Sequence, residues 1–347
     1  MNKYDLVISL GSGCFMPGAL KSLKITEKTY PFDWSDCDGV AYEKLLKKCN
    51  LIKNHFKDAF NIEDFIEYHT PEQVTRSVKN AKTGVHYIHD FPWEKSVKDF
   101  FPEFLEKHQR RVKRLYEDVE NAKNILFVYH DITKTVSIDL LKKAKDILKE
   151  TFPKKNINLL VFLPCIPKAT MECYEIKTNI DDGLLLYAQT NQWEKSYTSQ
   201  VIVVSKLMAQ LFGKDYYCFF YDDNIVSFGL SNMESQGRWS DGTVSFFRLS
   251  TMLKSKTVSV DINVIPFVNE SRLNQRAKII CNGHEIKEIC FDNPKKQIIN
   301  LVVPNDNDGN LDFMFEFDNP QSPKELGISD DERKLALAFV DAVISEK

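Results

Sequence analysis

The sequence has no long run of uncharged apolar residues. None of its apolar stretches approaches the roughly 20 residues that a helix needs to cross a bilayer. The N-terminal apolar run stops at Gly11 without the small-residue cleavage site of a secretory signal. We therefore expect a cytoplasmic protein without a transmembrane segment, and we interpret this first run as a β-strand.

Metal-binding patterns and an excess of positive charge are missing as well. The eight cysteines form neither a CxxC pair nor a metal-type spacing with histidine, which predicts reduced thiols and no bound metal. Lys and Arg number 46 against 49 Asp and Glu, for a net charge of −3. Because nucleic-acid binding usually needs a basic surface, nucleic acid is not an expected partner.

Two different patterns divide the chain. Its 347 residues exceed the size at which one core usually stops growing, about 250–300 residues, so two domains are expected. Up to about residue 221, short apolar runs alternate with helical periods, as in strand–helix units around a mostly parallel sheet. Short strands separated by Ser-Asp-Gly and Asn-Gly turns follow. The sequence predicts an α/β domain over 1–225 and an all-β, jelly-roll-like sandwich over 226–347, with the boundary within 222–232.

Cys14 is the first candidate for chemistry. It follows the first predicted strand through a turn that contains Gly11 and Gly13, and it precedes a predicted helix with Pro17 in its first turn. The thiol is then expected at a helix N-terminus, where the helix dipole favours the thiolate and backbone amides can hold an oxyanion. We expect Cys14 to be the most acidic accessible thiol. The alternative is a small buried apolar residue.

A thiolate nucleophile needs a base, and His89 is the best local candidate. Asp90 follows it directly, and a carboxylate can orient and charge an imidazole beside a thiol. Adjacent side chains of a strand point to opposite faces, so Asp90 need not be the group that orients His89. His86 and His130 are rival bases.

Two further segments hold candidate residues. Asp33 lies between Phe32 and Trp34 after a proline, where it is either a carboxylate with a perturbed pKa or a helix cap beside a core tryptophan. Arg111 and Arg114 belong to an arginine-rich helix, which either clamps a phosphate or carboxylate or presents a solvated face.

Together these segments resemble a bacterial family of papain-like cysteine peptidases, which is a domain of unknown function. The shared elements are, in chain order, Ile8–Cys14 with Leu20-Lys21, Tyr30–Trp34, His89–Phe91, and the helix through Arg110, Arg111 and Arg114 that leads into Ile125–Val128. The resemblance covers about the first 165 residues. It implies Cys14 as the nucleophile and His89 as the base, with Asp33 or Asp90 in support. The candidate substrate contacts here are Ser12, Gly13, Trp34, Arg111 and Arg114.

Two other resemblances concern surface glycans. The placement of Cys14 is similar to the Gly-Asn-Cys turn of acetyltransferases in polysaccharide biosynthesis, which implies coenzyme A as the acyl donor, although Ser12 and Gly13 replace the Gly-Asn pair. Roughly residues 226–344 resemble a β-sandwich module of bacterial glycosyltransferases and other surface-glycan enzymes. Glu234 and Arg238 beside Trp239 are then candidates for binding a sugar. Alternatively, Trp239 fills the sandwich core and Glu234 pairs with Arg238 for structural reasons.

The leading hypothesis is a thiol-dependent acyl-transfer enzyme that acts on a bacterial capsule or surface polysaccharide. A papain-like cysteine peptidase or amidase is the alternative within the same chemistry. The remaining alternatives are a glycosyltransferase and a non-catalytic glycan-binding protein in which Cys14 is structural. Bound coenzyme A favours the first hypothesis, peptide hydrolysis favours the second, and full function of Cys14→Ser favours the non-catalytic protein.

Overall fold

The computed structural model describes residues 4–11, 13–68, 76–130, 137–163, 175–181, 183–188, 197–222 and 225–347. Ser12, Cys165 and Cys173 lie outside these ranges. The chain divides into two compact units between Val204 and Ser205. This division falls before the boundary predicted within 222–232, because the strand over Lys214–Cys218 pairs with the last strand of the second unit.

The first unit alternates strands and helices. Its elements, in chain order, are β1 (Leu6–Ser9), α1 (Phe15–Ser22), β2 (Ser35–Cys37), α2 (Ala41–Lys53), a 3-10 turn (Ile62–Asp64), β3 (Phe65–Tyr68), β4 (Arg76–Asn80), β5 (Val85–Phe91), α3 (Val97–Asn121), β6 (Asn124–His130), α4 (Ile138–Thr151), β7 (Asn156–Leu163), β8 (Glu175–Asp181), β9 (Leu184–Ala188) and α5 (Tyr197–Leu211), which spans the division.

The predicted parallel sheet is present. Its order is β1-β6-β7-β9-β8, with β8 antiparallel at one edge and the other neighbours parallel. The central strand β6 is completely buried from Ile125 to Tyr129, which explains why its sequence is continuously apolar. Leu45 of α2, Leu115 of α3 and Leu148 of α4 pack into the same core. The predicted α/β class is confirmed.

A separate antiparallel sheet interrupts this pattern, and the sequence did not predict it. Its order is β2-β5-β4-β3. Tyr87 and Phe91 of β5 pack against Phe104 of α3, each with ring centroids 4.8 Å apart. Helix α3 begins where the Ser96 side chain accepts the Asp99 amide hydrogen at 3.1 Å. Strand β5 is therefore held in two ways. It pairs with β2 in the sheet, and its aromatic side chains pack against α3.

The second unit consists mostly of antiparallel strands. They are, in chain order, β10 (Lys214–Cys218), β11 (Ser227–Phe228), β12 (Arg238–Trp239), β13 (Val244–Ser250), β14 (Thr257–Pro266), β15 (Gln275–Cys281), β16 (His284–Phe291), β17 (Gln297–Pro304), β18 (Asn310–Phe317) and β19 (Leu337–Glu346).

These strands form the predicted β-sandwich. One sheet has the order β10-β19-β14-β17, with β12 also paired to β19, and the other has the order β11-β13-β18-β15-β16. Alternate residues of β14 and β18, such as Val260 and Phe315, point into one shared core. Asn282 and Gly283 both have positive φ in the tight turn between β15 and β16, as an Asn-Gly hairpin requires. The predicted sandwich class is confirmed.

None of the helices within the described ranges is long and apolar enough to cross a membrane.

Candidate functional site

Cys14 is the N-cap residue of α1, and its side chain is half-buried. Gly11 and Gly13 both have positive φ, at 76° and 87°, which turns the chain sharply between β1 and α1. Gly18 donates its amide hydrogen to the Cys14 carbonyl at 3.1 Å and closes the first turn of the helix. The thiol thus stands at the positive end of α1, as predicted from the position of Pro17.

Gly11 brings the loop before Cys14 into close contact with two other segments. A Cβ atom at Gly11 would lie 2.6 Å from the Phe32 carbonyl oxygen, 2.8 Å from Lys48 Nζ and 3.0 Å from the Ser35 carbonyl oxygen. The Ser35 oxygen also accepts the Gly13 amide hydrogen at 3.3 Å. Any side chain at Gly11 would therefore push the loop away from β2.

The strand β2 connects this loop to β5, because Ser35 pairs with Tyr87. Further along β5, the register with β4 shifts between Arg76 and Val78, which is a β-bulge. His89 lies in this irregular part of β5, and its side chain is exposed. Its Nε2 atom is 3.5 Å from Cys14 Sγ, so the structure brings together the two residues that the sequence proposed as nucleophile and base.

Asp90 points away from this pair, toward α3. Its carboxylate forms an ion pair with Lys107 and lies 3.4 Å from His108 Nε2. Burial by itself raises the pKa of Asp90. His108 and Lys107 stabilise the carboxylate more strongly, and the pKa of Asp90 therefore lies well below its usual range. Burial lowers the pKa of His108. No hydrogen bond joins Asp90 to His89 in the described part of the chain, so Asp90 supports the packing of β5 on α3 instead.

The two rival histidines have other surroundings. His86 Nε2 is 2.7 Å from an Asp38 carboxylate oxygen, and its Nδ1 is 2.9 Å from the Tyr68 hydroxyl. His130 is completely buried, and its ring centroid is 5.2 Å from that of Phe15. Burial lowers the pKa of His130 to about 3, so it stays neutral at physiological pH. Among the described residues, His89 alone is within hydrogen-bonding distance of the Cys14 sulfur.

Asp33 caps a turn rather than a helix. It is 3% exposed, and its carboxylate accepts the Tyr30 amide hydrogen at 2.8 Å. Burial raises the pKa of Asp33 to about 6, against the opposing effects of the Tyr30 amide and the charges of Arg111 and Lys21. Trp34 follows with a φ of 68°, a strained backbone angle for a bulky residue.

Trp34 is half-buried rather than in the core, and Lys21 Nζ lies 5.3 Å above its ring centroid. The expectation of a helix cap beside a core tryptophan is therefore not met.

The arginine-rich part of α3 divides by face. Arg110 forms an exposed ion pair with Glu106 at 2.8 Å, as a solvated face predicts. Arg114 donates to the Thr29 carbonyl at 2.7 Å, and the half-buried Arg111 lies close enough to Asp33 to lower its pKa. The inward face of α3 thus holds the turn before β2 in place.

Lys48 is the residue at this site that the sequence did not single out. It is completely buried on α2, and no hydrogen bond or ion pair to its Nζ is present within the described ranges. Its Nζ lies 5.6 Å from the ring centroid of Phe32 and 5.9 Å from that of Tyr129. Burial lowers its pKa to about 8. The sequence did contain a sign that Lys48 is buried, because position 48 follows Leu45 by three residues on the apolar face of α2.

The second-unit candidates do not form the predicted pair. Glu234 binds Arg333, whereas Arg238 donates from Nε to the Ser231 carbonyl at 3.0 Å. Trp239 is half-buried in β12 and packs edge-on against Phe267, with ring centroids 5.9 Å apart. The expected structural pair between Glu234 and Arg238 is therefore replaced by a contact of Glu234 with the tail of the chain. A sugar-binding role for these residues stays a prediction.

Within the described residues, no group of three or more His, Cys, Asp or Glu side chains could hold a metal ion.

The raised pKa of Asp33 predicts a pH-dependent stability. The folded protein binds this proton more tightly than the unfolded chain, whose carboxyl has its ordinary pKa of 3.8. The free energy of unfolding should therefore fall as the pH rises from about 4 to about 6, by on the order of 2–3 kcal/mol. In Asp33→Asn this fall should be absent, while the exposed control Asp139→Asn should keep it. Denaturant unfolding across this pH range measures it, and parallel curves for Asp33→Asn and the native protein would contradict the prediction.

The buried charge of Lys48 predicts a stabilising substitution. The pKa of this amine is lowered from 10.5 to about 8, so folding is penalised wherever Lys48 is protonated. Lys48→Met, which has a similar length and no charge, should raise the free energy of unfolding at neutral pH by on the order of 3 kcal/mol. The gain should fade between about pH 8 and pH 10.5. Thermal and denaturant unfolding measure it, and a less stable Lys48→Met at neutral pH would show that the charge is compensated.

Several solved structures are similar to parts of this chain. The CBM36-1 domain of a multidomain xylanase from the hindgut metagenome of Trinervitermes trinervoides is 10% identical, covers 39% of this chain and 98% of its own, and has a TM-score of 0.28. A family 35 carbohydrate-binding module from Clostridium thermocellum is 10% identical, with 37% and 96% covered and a TM-score of 0.25. A two-domain esterase active on acetylated mannans is 8% identical, with 64% and 72% covered and a TM-score of 0.27.

No curated protein sequence matches this chain significantly. Residues 5–163, which hold both Cys14 and His89, match the model of a family described as "Putative papain-like cysteine peptidase". The resemblance of the N-terminal region to papain-like cysteine peptidases is thereby confirmed.

Proposed function

We propose that the first unit is a cysteine-dependent acyl-transfer enzyme, with Cys14 as the nucleophile and His89 as its base. The observation that carries this proposal is the 3.5 Å distance between Cys14 Sγ and His89 Nε2 at the N-terminus of α1. A thiol within reach of an imidazole can transfer its proton and become a strong nucleophile. The half-buried sulfur and the exposed imidazole remain accessible to a substrate.

The reaction proceeds in two halves. In the first, His89 accepts the thiol proton, and the Cys14 sulfur attacks the acyl carbon to form a tetrahedral intermediate. The first-turn amides and the dipole of α1 stabilise the oxyanion. Collapse breaks the bond to the leaving group, which takes the proton from His89, and leaves a thioester on Cys14. In the second half, His89 takes a proton from the acceptor, whose oxygen attacks the thioester, and returns a proton to the released Cys14 sulfur.

The nature of the acceptor distinguishes two candidate functions. If the acceptor is a hydroxyl of a bacterial capsule or surface polysaccharide, the enzyme is an acyltransferase, and we favour this reading because the second unit is a β-sandwich of the kind that its sequence resemblance links to surface-glycan enzymes. If the acceptor is water, the enzyme is a peptidase or amidase, which the family match of residues 5–163 supports. Both functions pass through the same thioester on Cys14.

An acyl-coenzyme A is the donor that we propose for the transferase. Lys21 and Arg111 both act electrostatically on the Asp33 carboxyl, so cationic groups lie along the turn before β2. Cations in this position suit the phosphate groups of such a donor. The donor thioester would be exchanged for the thioester on Cys14 without net redox change.

The pairing of Cys14 with His89 predicts a selective loss of thiol reactivity. Replacing His89 by Ala should slow iodoacetamide alkylation of Cys14 near pH 7 by about tenfold, because the imidazolium no longer favours the thiolate. His86→Ala should leave the rate unchanged, since His86 contacts Asp38 and Tyr68. Mass spectrometry of the digested protein measures each site, with the exposed Cys290 as an internal control. A slower Cys14 in His86→Ala but not in His89→Ala would overturn the assignment.

The thioester itself should be detectable. Brief incubation with acetyl-coenzyme A or an activated acetate ester should add one acetyl group to Cys14, which hydroxylamine removes and which Cys14→Ser cannot acquire. Transfer of the label from Cys14 to an added polysaccharide would identify the transferase, and release as acetate together with peptide hydrolysis would identify the hydrolase. Labelling that persists in Cys14→Ser would contradict both functions.

A further inference from the structure

The ammonium of Lys48 lies beneath the loop that leads to Cys14. A Cβ at Gly11 would be 2.8 Å from Lys48 Nζ and 3.0 Å from the Ser35 carbonyl oxygen, so the amine, the loop and the start of β2 meet at one point. The same Ser35 oxygen accepts the amide hydrogen of Gly13, the residue before Cys14. The buried amine therefore lies beside the glycine turn that leads to the nucleophile.

Acidic groups on the elements around Lys48 do not neutralise it. Asp36 of β2 attracts Lys48 electrostatically, but both of its carboxylate oxygens bind Lys44, at 3.0 Å and 2.8 Å. Cys37 of β2 and Cys49 of α2 are buried thiols, and burial raises the pKa of each. Both therefore stay uncharged at neutral pH.

Two aromatic rings also lie near the amine. The rings of Phe32 and of Tyr129 on β6 face it, and a ring face attracts a cation but carries no net charge. Within the described residues, the field of Lys48 is thus not cancelled by an ion pair of its own. Because Lys48 is completely buried, this field is screened less than it would be in water.

We propose that Lys48 is an electrostatic positioning residue of the Cys14 site, whose buried ammonium stabilises the negative charge that forms on the Cys14 sulfur. The inference rests on the proposed function, since it requires Cys14 to become a thiolate. A buried cation without an anionic partner costs folding free energy, and that cost is offset when an anion forms nearby. His89 then supplies the mobile proton, and Lys48, which is protonated below its pKa of about 8, supplies a positive charge behind the loop.

The pH dependence of Cys14 alkylation tests this inference. In Lys48→Met the midpoint of the rate profile should move up by about one pH unit, the effect of a unit charge in a protein interior with an effective dielectric constant of about 20. The neighbouring Lys47→Met is the matched control, because it removes the same charge from an exposed position of the same helix. Its midpoint should not move. Lys48→Arg, which keeps the charge, should retain the native midpoint.

The outcomes separate this inference from the proposed function. One outcome is that His89→Ala moves the midpoint while Lys48→Met folds normally and leaves the midpoint unchanged. In that case Lys48 is only a structural residue, and the inference is overturned. If neither variant moves it, the ion pair between Cys14 and His89 does not form and the proposed function fails first. Circular dichroism confirms the fold of each variant, and Lys48→Gln, a neutral side chain of similar length, replaces Lys48→Met if the latter does not fold. A midpoint that moves equally in Lys47→Met would also overturn the inference.

Discussion

The contact between the loop before Cys14 and the start of β2 is the constraint on which the candidate site depends. Gly13 donates to the Ser35 carbonyl, and Ser35 in turn pairs with Tyr87 of β5. Through these two backbone interactions, one short strand joins a loop of the parallel sheet to a strand of the antiparallel sheet. The sulfur at the start of α1 and the imidazole on β5 therefore meet at 3.5 Å, although α1 follows a strand of the parallel sheet and β5 belongs to the antiparallel sheet.

Charge is distributed unevenly around this contact. Asp90 is compensated by Lys107 and stays ionised, so it contributes to stability rather than to chemistry. Asp33 and Lys48 are buried without a comparable ion pair in the described part of the chain, and burial moves both pKa values toward neutrality, to about 6 and about 8. Shifted pKa values are common at functional sites, because catalytic acids, bases and nucleophiles need pKa values that match their task.

The two units differ in what they contain. The first unit carries the thiol–imidazole pair and the charges around it, whereas the second is a sandwich whose inward-facing residues form one apolar core. In the second unit, the ion pair between Glu234 and Arg333 fastens the loop before β12 to the tail before β19. In the proposed transferase the second unit would bind a large acceptor, whereas the hydrolase shares every chemical step up to the thioester.

The sequence by itself determined both fold classes, since the continuous apolar run of β6 is typical of a buried parallel strand and the alternating pattern of β18 is typical of a strand with one buried face. It also proposed Cys14 and His89 as a pair, because a glycine turn before a helix is a local pattern and because His89 lies in a segment that resembles the cysteine peptidase family and precedes a carboxylate. It could not assign Asp90 to Lys107 and His108, since a β-bulge and a packed helix decided which way that side chain points. Nor could it distinguish Lys48 from the exposed Lys47, because two adjacent lysines look alike until the close approach of Gly11 and β2 buries one of them.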